Sequence, residues 1–408
     1  MISGKGGNMT SVKYKNRELI LKILKNYGAI SRVDIARTLG LTSASITILV
    51  NEMVKEGIIK EVGQLEELEK RTGRKKTLID INYDYKYVIG INIESDLINM
   101  GVSNIKGDSI ACKSFSTDKS LNPVQTLKNI AKECIELLWK ENILKESILG
   151  VGVGIVGKVD QAAGTSKHAY GLWKEEVDIK GILEKALATQ VVVDNNVRAF
   201  AFGEIDHHTA NEDAANILLI KYGPGIGMAV IINNKIYYGC NNEAGEIGHT
   251  IVEYGGERCR CGRRGCLETV AAEDTILKNI GALFNKENTS RLYELCQGEI
   301  KNININTIYE AAKSGDEVVI NHINKAMTYL GLAITNAICL YDSRRVILYG
   351  KAFGFDIIFN KLKKVIGETI GIENVDDFIT LSELNHKRSY IGGVALASRE
   401  FFYNKGGI

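Results

Sequence analysis

Four potential metal ligands lie close together in the chain and constrain its fold more than any other feature of the sequence. His249 is followed by Cys259, Cys261 and Cys266, and two glycines lie between the last two cysteines. Crowded cysteines of this kind, in a chain with no sign of secretion, favour a metal site over disulfides. One imidazole and three thiolates form a complete tetrahedral set for Zn²⁺, which is typical of structural zinc. The alternative is a group of reduced, buried cysteines without an ion.

The composition of the chain is typical of a globular protein with more than one domain. Of its 408 residues, 45% are hydrophobic and 25% are charged, which are ordinary proportions, and the length allows two or three domains. The sequence contains neither an apolar run of about 20 residues, which a membrane span requires, nor the apolar core of a signal peptide near its start. These features predict a cytoplasmic protein.

The small net charge of +2 hides an uneven distribution. Residues 1–80 hold 15 Lys and Arg against 9 Asp and Glu, whereas the rest of the chain holds 36 against 40. A basic N-terminal module on a mildly acidic body is typical of a nucleic-acid-binding head attached to a different kind of domain. The alternative is a solvated basic surface without a partner.

Glycines and hydroxyl side chains divide the start of the chain into three predicted helices. The first has apolar residues at helical spacing and ends at Gly28. Ser31 is the predicted N-cap of the second helix, Gly40 is its end, and Thr42 caps the third. Two helices joined by a short turn that contains glycine form a helix-turn-helix. The third helix is therefore the predicted recognition helix.

The recognition helix and a basic loop after it supply the expected DNA contacts. Two predicted strands, 58–62 and 76–81, enclose a polar loop that forms a wing, which completes a winged helix-turn-helix. Side chains at the start of the recognition helix would face base edges, and the wing would face phosphates or a narrow minor groove. The predicted DNA-binding residues are Ser43, Ala44, Ser45, Thr47, Arg71, Arg74, Lys75 and Lys76, with further phosphate contacts from Lys13, Lys15 and Arg17. The alternative is a helical protein-interaction module.

Beyond residue 82 the sequence alternates between strand and helix patterns. Three consecutive strands are predicted within 87–115, followed by a helix at 124–139 and by two further strands. A similar run of three strands begins at residue 217, and we interpret the two runs as a weak internal duplication. Two related α/β lobes would then enclose a cleft, where α/β folds usually bind ligands.

These motifs resemble those of the ROK family, which contains both sugar kinases and repressors. The likeness runs from about residue 12 to the C-terminus, and the fused head resembles the repressor branch of the family, which includes xylose and N-acetylglucosamine repressors. The motifs that carry it are Ile30-Ser-Arg-Val-Asp-Ile-Ala36, Gly73-Arg-Lys75, Gly223-Pro-Gly-Ile-Gly227, Glu243-Ala-Gly-Glu-Ile-Gly-His249 and Cys259-x-Cys261-Gly-x-x-Gly-Cys266-Leu-Glu268.

The resemblance implies an α/β fold, in which a winged helix-turn-helix precedes a two-lobed, actin-like ATPase domain with a ribonuclease H-like topology. We expect the DNA-binding domain at 1–82, the first lobe at 83–200 with a C-terminal helix (386–408) packed on it, and the second lobe at 201–385. The implied sugar-binding residues are Asn195, Asn196, Glu246, His249 and Glu268, and the implied zinc ligands are His249, Cys259, Cys261 and Cys266.

Three departures from the family's kinase motifs predict that the chain is not an enzyme. The kinase phosphate loop has the form Asp-x-Gly-Gly-Thr, but here Asn92 replaces the Asp and Glu94 places a negative side chain where a triphosphate should approach. Asn196 stands where the kinases have their general base, and an amide cannot accept the proton of a sugar hydroxyl. Near the C-terminus, Tyr349-Gly350-Lys351 replaces a Gly-Gly pair that lies beside adenosine in the kinases.

The sequence thus predicts a sugar-responsive repressor of carbohydrate utilisation genes, with xylose among the candidate sugars, that sugar binding releases from its operator. Its expected partners are double-stranded operator DNA, a small sugar and further copies of the chain in a dimer or tetramer, with no membrane. Two alternatives stay open at this point. One is a ROK-type sugar kinase with residual ATP-dependent activity, and the other is a constitutive DNA-binding protein whose sensory domain no longer responds.

Overall fold

The computed structural model describes residues 9–64, 76–208, 216–371, 374–384 and 388–407. The chain divides into two compact units, one formed by Met1–Glu212 with Lys387–Ile408 and the other by Asp213–His386. The first unit contains the N-terminal head, an α/β body that we call the first lobe, and the last helix of the chain. The second unit is the second lobe.

The head is a winged helix-turn-helix. Its short first strand and its two longer strands form one antiparallel sheet, in which the third strand lies between the other two. The helices are Met9–Tyr27, Arg32–Leu39 and Ser43–Lys55, and the strands are Ile30–Ser31, Ile59–Gln64 and Thr77–Ile81. Most of the predicted wing, residues 65–75, lies outside the described residues.

The predicted helix caps in the head are confirmed. The side-chain oxygen of Ser31 accepts a hydrogen bond from the backbone N–H of Asp34 at 3.2 Å, and that of Thr42 accepts one from Ser45 at 3.2 Å. A cap of this kind stabilises a helix by about 1 kcal/mol. Gly40 ends the second helix with φ +65°, a left-handed conformation that glycine adopts without steric cost.

The hydrophobic core of the head includes residues from the far end of the chain. Ile46, Val50 and Met53, on one face of the recognition helix, lie in the same buried cluster as Phe402 and Tyr403. Burying an aromatic or aliphatic side chain contributes roughly 1.5–3 kcal/mol. The C-terminal segment therefore helps to stabilise the head, although it is remote in sequence.

The prediction that Arg17 contacts phosphate is wrong, because the structure buries this side chain. Arg17 lies within the first helix and is 1% exposed. Its Nε donates a hydrogen bond to the carbonyl of Gly406 at 3.0 Å, and its guanidinium pairs with the carboxylate of Glu56. Lys13 and Lys15 were predicted as phosphate contacts as well. Lys13 forms an ion pair with Glu52, and Lys15 forms one with Glu18. Arg17 thus ties the head to the C-terminal segment.

The first lobe is built on a five-stranded mixed sheet. Three consecutive strands form an antiparallel meander, and the fourth strand pairs with the first of them in parallel, with the fifth outside it. In chain order the strands are Tyr87–Ile93, Leu97–Asn104, Ser109–Ser116, Ile148–Ile155 and Val191–Asn195. All five were predicted, because their apolar runs are bounded by clear turn signals.

One face of this sheet is covered by two helices. Pro123–Lys140 and Ile179–Leu187 bury Leu127, Ile130 and Leu183 against the strands. In the chain, the residues between the fourth and fifth strands form a small antiparallel sheet. The sequence pattern does not predict this sheet. Its strands are Lys158–Asp160, Thr165–His168 and Val177–Asp178.

The C-terminal helix, Ile391–Phe401, packs on the first-lobe sheet and against the helix Asn196–His208. Two glycines permit this close approach. A Cβ atom at Gly152 would lie 1.9 Å from the carbonyl oxygen of Gly393, so a side chain at this position would push the helix away from the sheet. The helix that ends the chain therefore belongs to the core of the first lobe.

The second lobe repeats the strand order of the first. If the strands of each sheet are numbered by their appearance in the chain, both sheets have the order 5-4-1-2-3. In the second lobe these strands are Ile217–Tyr222, Ile226–Ile232, Lys235–Ile236, Arg345–Tyr349 and Ile379–Leu381. The predicted internal duplication is therefore confirmed by the topology.

The helices of the second lobe pack around one hydrophobic core. The longest, Glu317–Tyr341, buries a stripe that includes Ile323, Leu330 and Ile334. The others are Glu268–Ala271, Glu273–Ala282, Ser290–Leu295, Ile305–Lys313, Asp356–Ile370 and Val375–Phe378. Among the described residues of the whole chain, no helix is both long and apolar enough to cross a membrane.

Candidate metal, sugar and DNA-binding sites

The second lobe brings the four predicted metal ligands together. The ligand atoms of His249, Cys259, Cys261 and Cys266 all lie within 4.8 Å of one another. Nδ1 of His249 is 3.6 Å from Sγ of Cys259, and the Sγ atoms of Cys261 and Cys266 are 3.6 Å apart. In a tetrahedral shell with metal–sulfur and metal–nitrogen bonds of about 2.3 and 2.1 Å, the ligand atoms are separated by roughly 3.6–3.8 Å. Two of the ligand–ligand distances therefore match a tetrahedral shell, and the cluster could hold a metal.

Two glycines allow the backbone to turn tightly around this cluster. Gly262 and Gly265 have φ values of +91° and +73°. A Cβ atom at Gly265 would lie 1.6 Å from the carbonyl oxygen of Glu253, so only glycine fits there. The turn between the cysteines is closed by a hydrogen bond from the backbone N–H of Cys259 to the carbonyl of Arg263 at 2.8 Å.

The pKa values of the three thiols determine how the cluster would respond to a metal. Burial, together with the neighbouring Cys261 and Cys259, raises the pKa of Cys266 to about 12. Burial likewise raises the pKa of Cys259. Burial also opposes ionisation of Cys261, but the backbone N–H of Arg263 and the neighbouring thiols outweigh it and lower the pKa. Three thiolates become favourable together only beside a cation, so metal binding would release protons.

Two carboxylates flank the imidazole of His249. Its Nε2 lies 3.8 Å from a carboxylate oxygen of Glu246, and its Nδ1 lies 3.9 Å from one of Glu268. Three of the predicted sugar-binding residues therefore lie together in the second lobe. His249 is buried, whereas the side chain of Glu246 is 30% exposed.

Glu268 is held by a residue that the sequence analysis missed. Both carboxylate oxygens of Glu268 accept hydrogen bonds from the guanidinium of Arg260, at 3.1 and 3.0 Å. One of these oxygens also accepts a hydrogen bond from the backbone N–H of Ile226 at 3.1 Å. Arg260 lies between two cysteines of the metal cluster, and this position was the only sequence signal of its role. The bidentate pair fixes the carboxylate in one orientation.

In the first lobe, Asn195 caps the helix that begins at the next residue. Its Oδ1 accepts the backbone N–H groups of Val197 at 2.9 Å and Arg198 at 3.3 Å. Its Nδ2 donates to the carbonyl of Gly157 at 2.9 Å. Asn195 therefore helps to hold the segment Gly154–Gly157 in place.

Asn196 has a different environment. Its side chain is 5% exposed, and Nδ2 makes no hydrogen bond with any described residue of the chain. A buried amide donor without a partner costs about 1–3 kcal/mol. A Cβ atom at Gly154 would lie 3.2 Å from Cα of Asn196 and 3.5 Å from Oδ1 of Asn92, so the two asparagines lie beside the same turn. The Asn196 amide is thus a polar group with capacity for a ligand.

Asn92 and Glu94, which the resemblance aligns with the kinase phosphate loop, are hydrogen-bonded to each other. Nδ2 of Asn92 donates to Oε1 of Glu94 at 2.9 Å and to Oγ of Ser389 at 3.1 Å. The carboxylate of Glu94 therefore lies directly beside the buried amide of Asn92. A negative charge in this position opposes the approach of a phosphate.

The start of the recognition helix is exposed, as a DNA-reading surface must be. Ser43, Ala44, Ser45 and Thr47 all lie on the surface of the head. The hydroxyl of Thr47 donates to the carbonyl of Ser43 at 2.7 Å. From the wing, Lys76 is half-buried and lies 3.7 Å from Asp34, whereas the predicted contacts Arg71, Arg74 and Lys75 lie outside the described residues.

Comparisons with known proteins agree with this division of the chain. The model of the ROK family matches residues 88–400, and that of winged helix-turn-helix DNA-binding proteins matches residues 15–60. The chain belongs to the ROK family. The expected actin-like ROK body and winged head are therefore confirmed.

The relatives of this ROK chain share both of its parts. The xylose repressor of Caldicellulosiruptor bescii is 29% identical over 393 residues, which cover 96% of this chain and 97% of the relative. The DNA-binding transcriptional dual regulator NagC of Escherichia coli K12 is 27% identical over 400 residues, covering 96% and 94%. A crystal structure of a ROK family transcriptional regulator, homologous to the E. coli MLC protein, has a TM-score of 0.78 at 22% identity and covers 97% of each chain. This structural likeness shows a shared fold.

Proposed function

We propose that this ROK protein is a DNA-binding repressor of carbohydrate utilisation genes that a sugar releases from its operator. The observation that carries the proposal is the continuous similarity, across 96% of the chain, to proteins named as sugar repressors. Both the head and the body take part in that similarity. A kinase of the family would not need the head, and a constitutive DNA-binding protein would not need the body.

The proposed sugar-binding residues are Asn195, Asn196, Glu246, His249 and Glu268. Support comes from hydrogen-bonding capacity, because the buried Nδ2 of Asn196 has no partner among the described residues and a sugar hydroxyl can accept its hydrogen bond. Arg260 fixes the carboxylate of Glu268, and fixed carboxylates are good acceptors for sugar hydroxyls. We expect a pentose or hexose, with xylose and N-acetylglucosamine tested first.

A structural Zn²⁺ held by His249, Cys259, Cys261 and Cys266 would support this site. The ion would stabilise the fold of the second lobe, and its four protein ligands would leave no position for a catalytic water. With Nδ1 of His249 turned to the thiols, Nε2 lies on the side of Glu246, 3.8 Å from its carboxylate, and this pair would face the sugar. The role of the residues around the ion is then to fix the imidazole, and not to perform chemistry on the sugar.

We infer that the protein does not phosphorylate its sugar. An amide at residue 196 cannot remove a proton from a hydroxyl, and loss of a general base costs about 10²–10⁴-fold in rate. The carboxylate of Glu94, beside Asn92, opposes the binding of a triphosphate. Tyr349-Gly350-Lys351 replaces the glycine pair beside adenosine. Coupled ATP-consumption assays with D-xylose, D-glucose and N-acetyl-D-glucosamine should stay at background, and clear turnover would favour the kinase alternative.

The DNA-binding part of the proposal rests on the exposed recognition helix and the basic wing, acting in a dimer or tetramer. The full-length protein should recover a duplex from a random-sequence selection. Its affinity should depend strongly on salt, because each phosphate contact releases counterions. Arg74→Ala with Lys75→Ala should reduce the salt slope by about 2 in a plot of log affinity against log salt concentration.

A sugar response separates the repressor from a constitutive DNA-binding protein. At least one of the three sugars should raise the melting temperature of the full-length protein, since a ligand that binds only the folded state stabilises it. If the duplex binds but no sugar changes the melting temperature, the sensory role is refuted. If selection recovers no duplex, the DNA-binding role is refuted.

A further inference from the structure

One face of the recognition helix carries an exposed apolar residue that the DNA-contact prediction did not include. Ile48 is 62% exposed. It lies one helical turn after Ala44 and nearly one turn before Asn51, so the three side chains share a face. Ala44 and Asn51 are also exposed. The opposite face, with Ile46, is buried in the head core.

The chemistry of this face restricts what it can read in DNA. Between its start and Lys55, the recognition helix has no basic residue, so it lacks the bidentate arginine or lysine that reads guanine. An isoleucine offers only apolar contact, and in the major groove the apolar group on a base is the C5-methyl of thymine. Apart from Lys55, the basic residues of the head lie outside this helix and attract the duplex without reading its sequence.

We propose that Ile48 is a specificity-determining residue that contacts thymine methyl groups in the operator. This inference rests on the proposed DNA-binding function. Ala44 extends the same apolar surface towards the start of the helix. The amide of Asn51, which Arg32 contacts at 3.4 Å, lies next along the same face and is suited to an adenine edge. The recognition helix therefore selects A·T pairs through methyl contacts.

The test compares thymine with deoxyuridine, which lacks only the methyl group. Each thymine of the duplex recovered by the full-length protein is replaced singly, and affinity is measured for the wild type and for Ile48→Ala. In the wild type, at least one replacement should weaken binding about fourfold, as expected from the transfer of one methyl-sized group out of water. In Ile48→Ala the same replacement should have no effect.

Val33→Ala is the matched control, because Val33 is also exposed, at 47%, but lies on the preceding helix. It should keep the sensitivity of the wild type to deoxyuridine. A wild type that tolerates every replacement, or an Ile48→Ala variant that keeps the loss, would overturn the assignment. Failure to recover any duplex would instead refute the DNA-binding function on which the assignment rests.

A second inference rests on a buried ion cluster between the head and the first lobe. Lys25 from the first helix of the head lies 2.6 Å from the carboxylate of Asp206. Arg399 from the C-terminal helix contacts the same carboxylate, with its Nε at 3.1 Å. The three side chains are only 10–25% exposed. Burial raises the pKa of Asp206, but Arg399 and Lys25 outweigh it and lower the pKa overall, so the carboxylate is ionised.

The helix that carries Asp206 also carries a proposed sugar-binding residue. It runs from Asn196 to His208, and Asn195 caps its first turn. Asn196 and Asp206 are therefore separated by about 15 Å along one rigid element, at 1.5 Å per residue. A sugar that moves the start of this helix would move the partner of Lys25 at its other end.

The junction also contains space for such a movement. A cavity of about 180 Å³ is lined by Lys25, Asp206, Ser398 and Tyr403, among others. Oγ of Ser398 is buried and makes no hydrogen bond within the described part of the chain. A junction with an ion cluster and free volume can adopt two arrangements more easily than a close-packed core.

We infer that the contact between Asp206 and Lys25 transmits sugar binding to the DNA-binding head. The inference also rests on the proposed function. Lys25→Met keeps the aliphatic stem but removes the charge. In the wild type, the releasing sugar among D-xylose, D-glucose and N-acetyl-D-glucosamine should weaken DNA binding by a typical allosteric factor of about 5–150. In Lys25→Met this factor should fall close to 1, while sugar affinity and DNA affinity without sugar stay within a few-fold of the wild type.

Lys22→Met is the matched control on the same helix, because Lys22 pairs with Glu18 near the surface. It should respond to the sugar as the wild type does. If Lys25→Met keeps the full sugar response, or loses sugar affinity itself, transmission through this contact is refuted. If the wild type shows no response to any of the three sugars, the proposed function fails instead.

Discussion

Two polar sites of the molecule differ in how their groups are paired. One is the candidate metal cluster of the second lobe, and the other is the turn that contains Asn195 and Asn196 in the first lobe. In the cluster, His249 and three thiols converge on one another within 4.8 Å. At the turn, Asn195 caps a helix through its amide oxygen and donates to the carbonyl of Gly157 through its amide nitrogen, whereas the neighbouring Asn196 buries an amide donor without a partner among the described residues.

The difference supports the proposal that the cluster would hold a structural ion and that the turn would bind an exchangeable ligand. A complete tetrahedral ligand set leaves no position for another molecule, so its contribution is to the stability of the lobe. A buried donor without an acceptor destabilises the free protein and is relieved when a ligand binds. We therefore expect substitutions at the cluster to act on folding and substitutions at the turn to act on sugar affinity.

Cys266→Ser is expected to have the largest effect. Cys266 is fully buried, and loss of a bound metal belongs to the few mechanisms that cost about 4 kcal/mol or more. For a lobe of this size that corresponds to a fall in melting temperature of roughly 10 °C. Elemental analysis should show the loss of about one zinc per chain.

Cys240→Ser is the control for this prediction, because Cys240 is an exposed thiol of the same lobe. It should keep both its zinc and its melting temperature. An unchanged zinc content in Cys266→Ser would mean that the cluster is only a group of reduced cysteines.

The carboxylate of Glu273 is buried in the second lobe, and the charges around it do not offset the cost of ionising it. Tyr309 donates a hydrogen bond to its carboxylate at 2.8 Å, but burial raises the pKa of Glu273 from 4.5 to about 7. The folded state therefore retains a proton that the unfolded state loses, and stability falls as the pH rises from about 4.5 to 7.

Glu273→Gln should abolish that fall while keeping an acceptor for Tyr309. At pH 8 the variant should be more stable than the wild type by about 1–3 kcal/mol, and at pH 4 the two should be nearly equal. Denaturant unfolding at the two pH values measures the difference. Parallel stability curves across this range would show that Glu273 does not titrate as described.

Asn196→Leu should act on sugar affinity and not on folding. The substitution keeps the branched shape and the number of side-chain heavy atoms but removes the unpaired donor, so the melting temperature of the free protein should be unchanged or slightly higher. Sugar affinity should fall by about tenfold, since a lost hydrogen bond to a ligand costs roughly 1–2 kcal/mol. Titration calorimetry measures the sugar affinity, and a melting curve measures the stability of the free protein. A variant that binds sugar normally would place the sugar contact elsewhere.

The local features of the fold could be predicted from the sequence because their causes are local. Ser31, Gly40 and Thr42 act within one helical turn of their own positions, and the spacing of the cysteines follows from the coordination of one ion. The five strands of the first lobe are visible as apolar runs. The ROK resemblance supplied the order of the domains.

The contacts that join distant parts of the chain could not be predicted in this way. Arg17 was expected at a phosphate, but it binds the carbonyl of Gly406, 389 positions away. The ion cluster of Lys25, Asp206 and Arg399 likewise joins three remote segments. No periodicity or spacing links such residues, because they are brought together only when the C-terminal helix packs on the first lobe.

Release of DNA by sugar in the absence of nucleotide tests the central claim most directly. A labelled duplex from the selection is bound to the full-length protein, and fluorescence anisotropy is recorded as D-xylose, D-glucose or N-acetyl-D-glucosamine is added without ATP. The account predicts that one sugar raises the dissociation constant at least fivefold. A dissociation constant that stays unchanged under a sugar shown by calorimetry to be bound would contradict it.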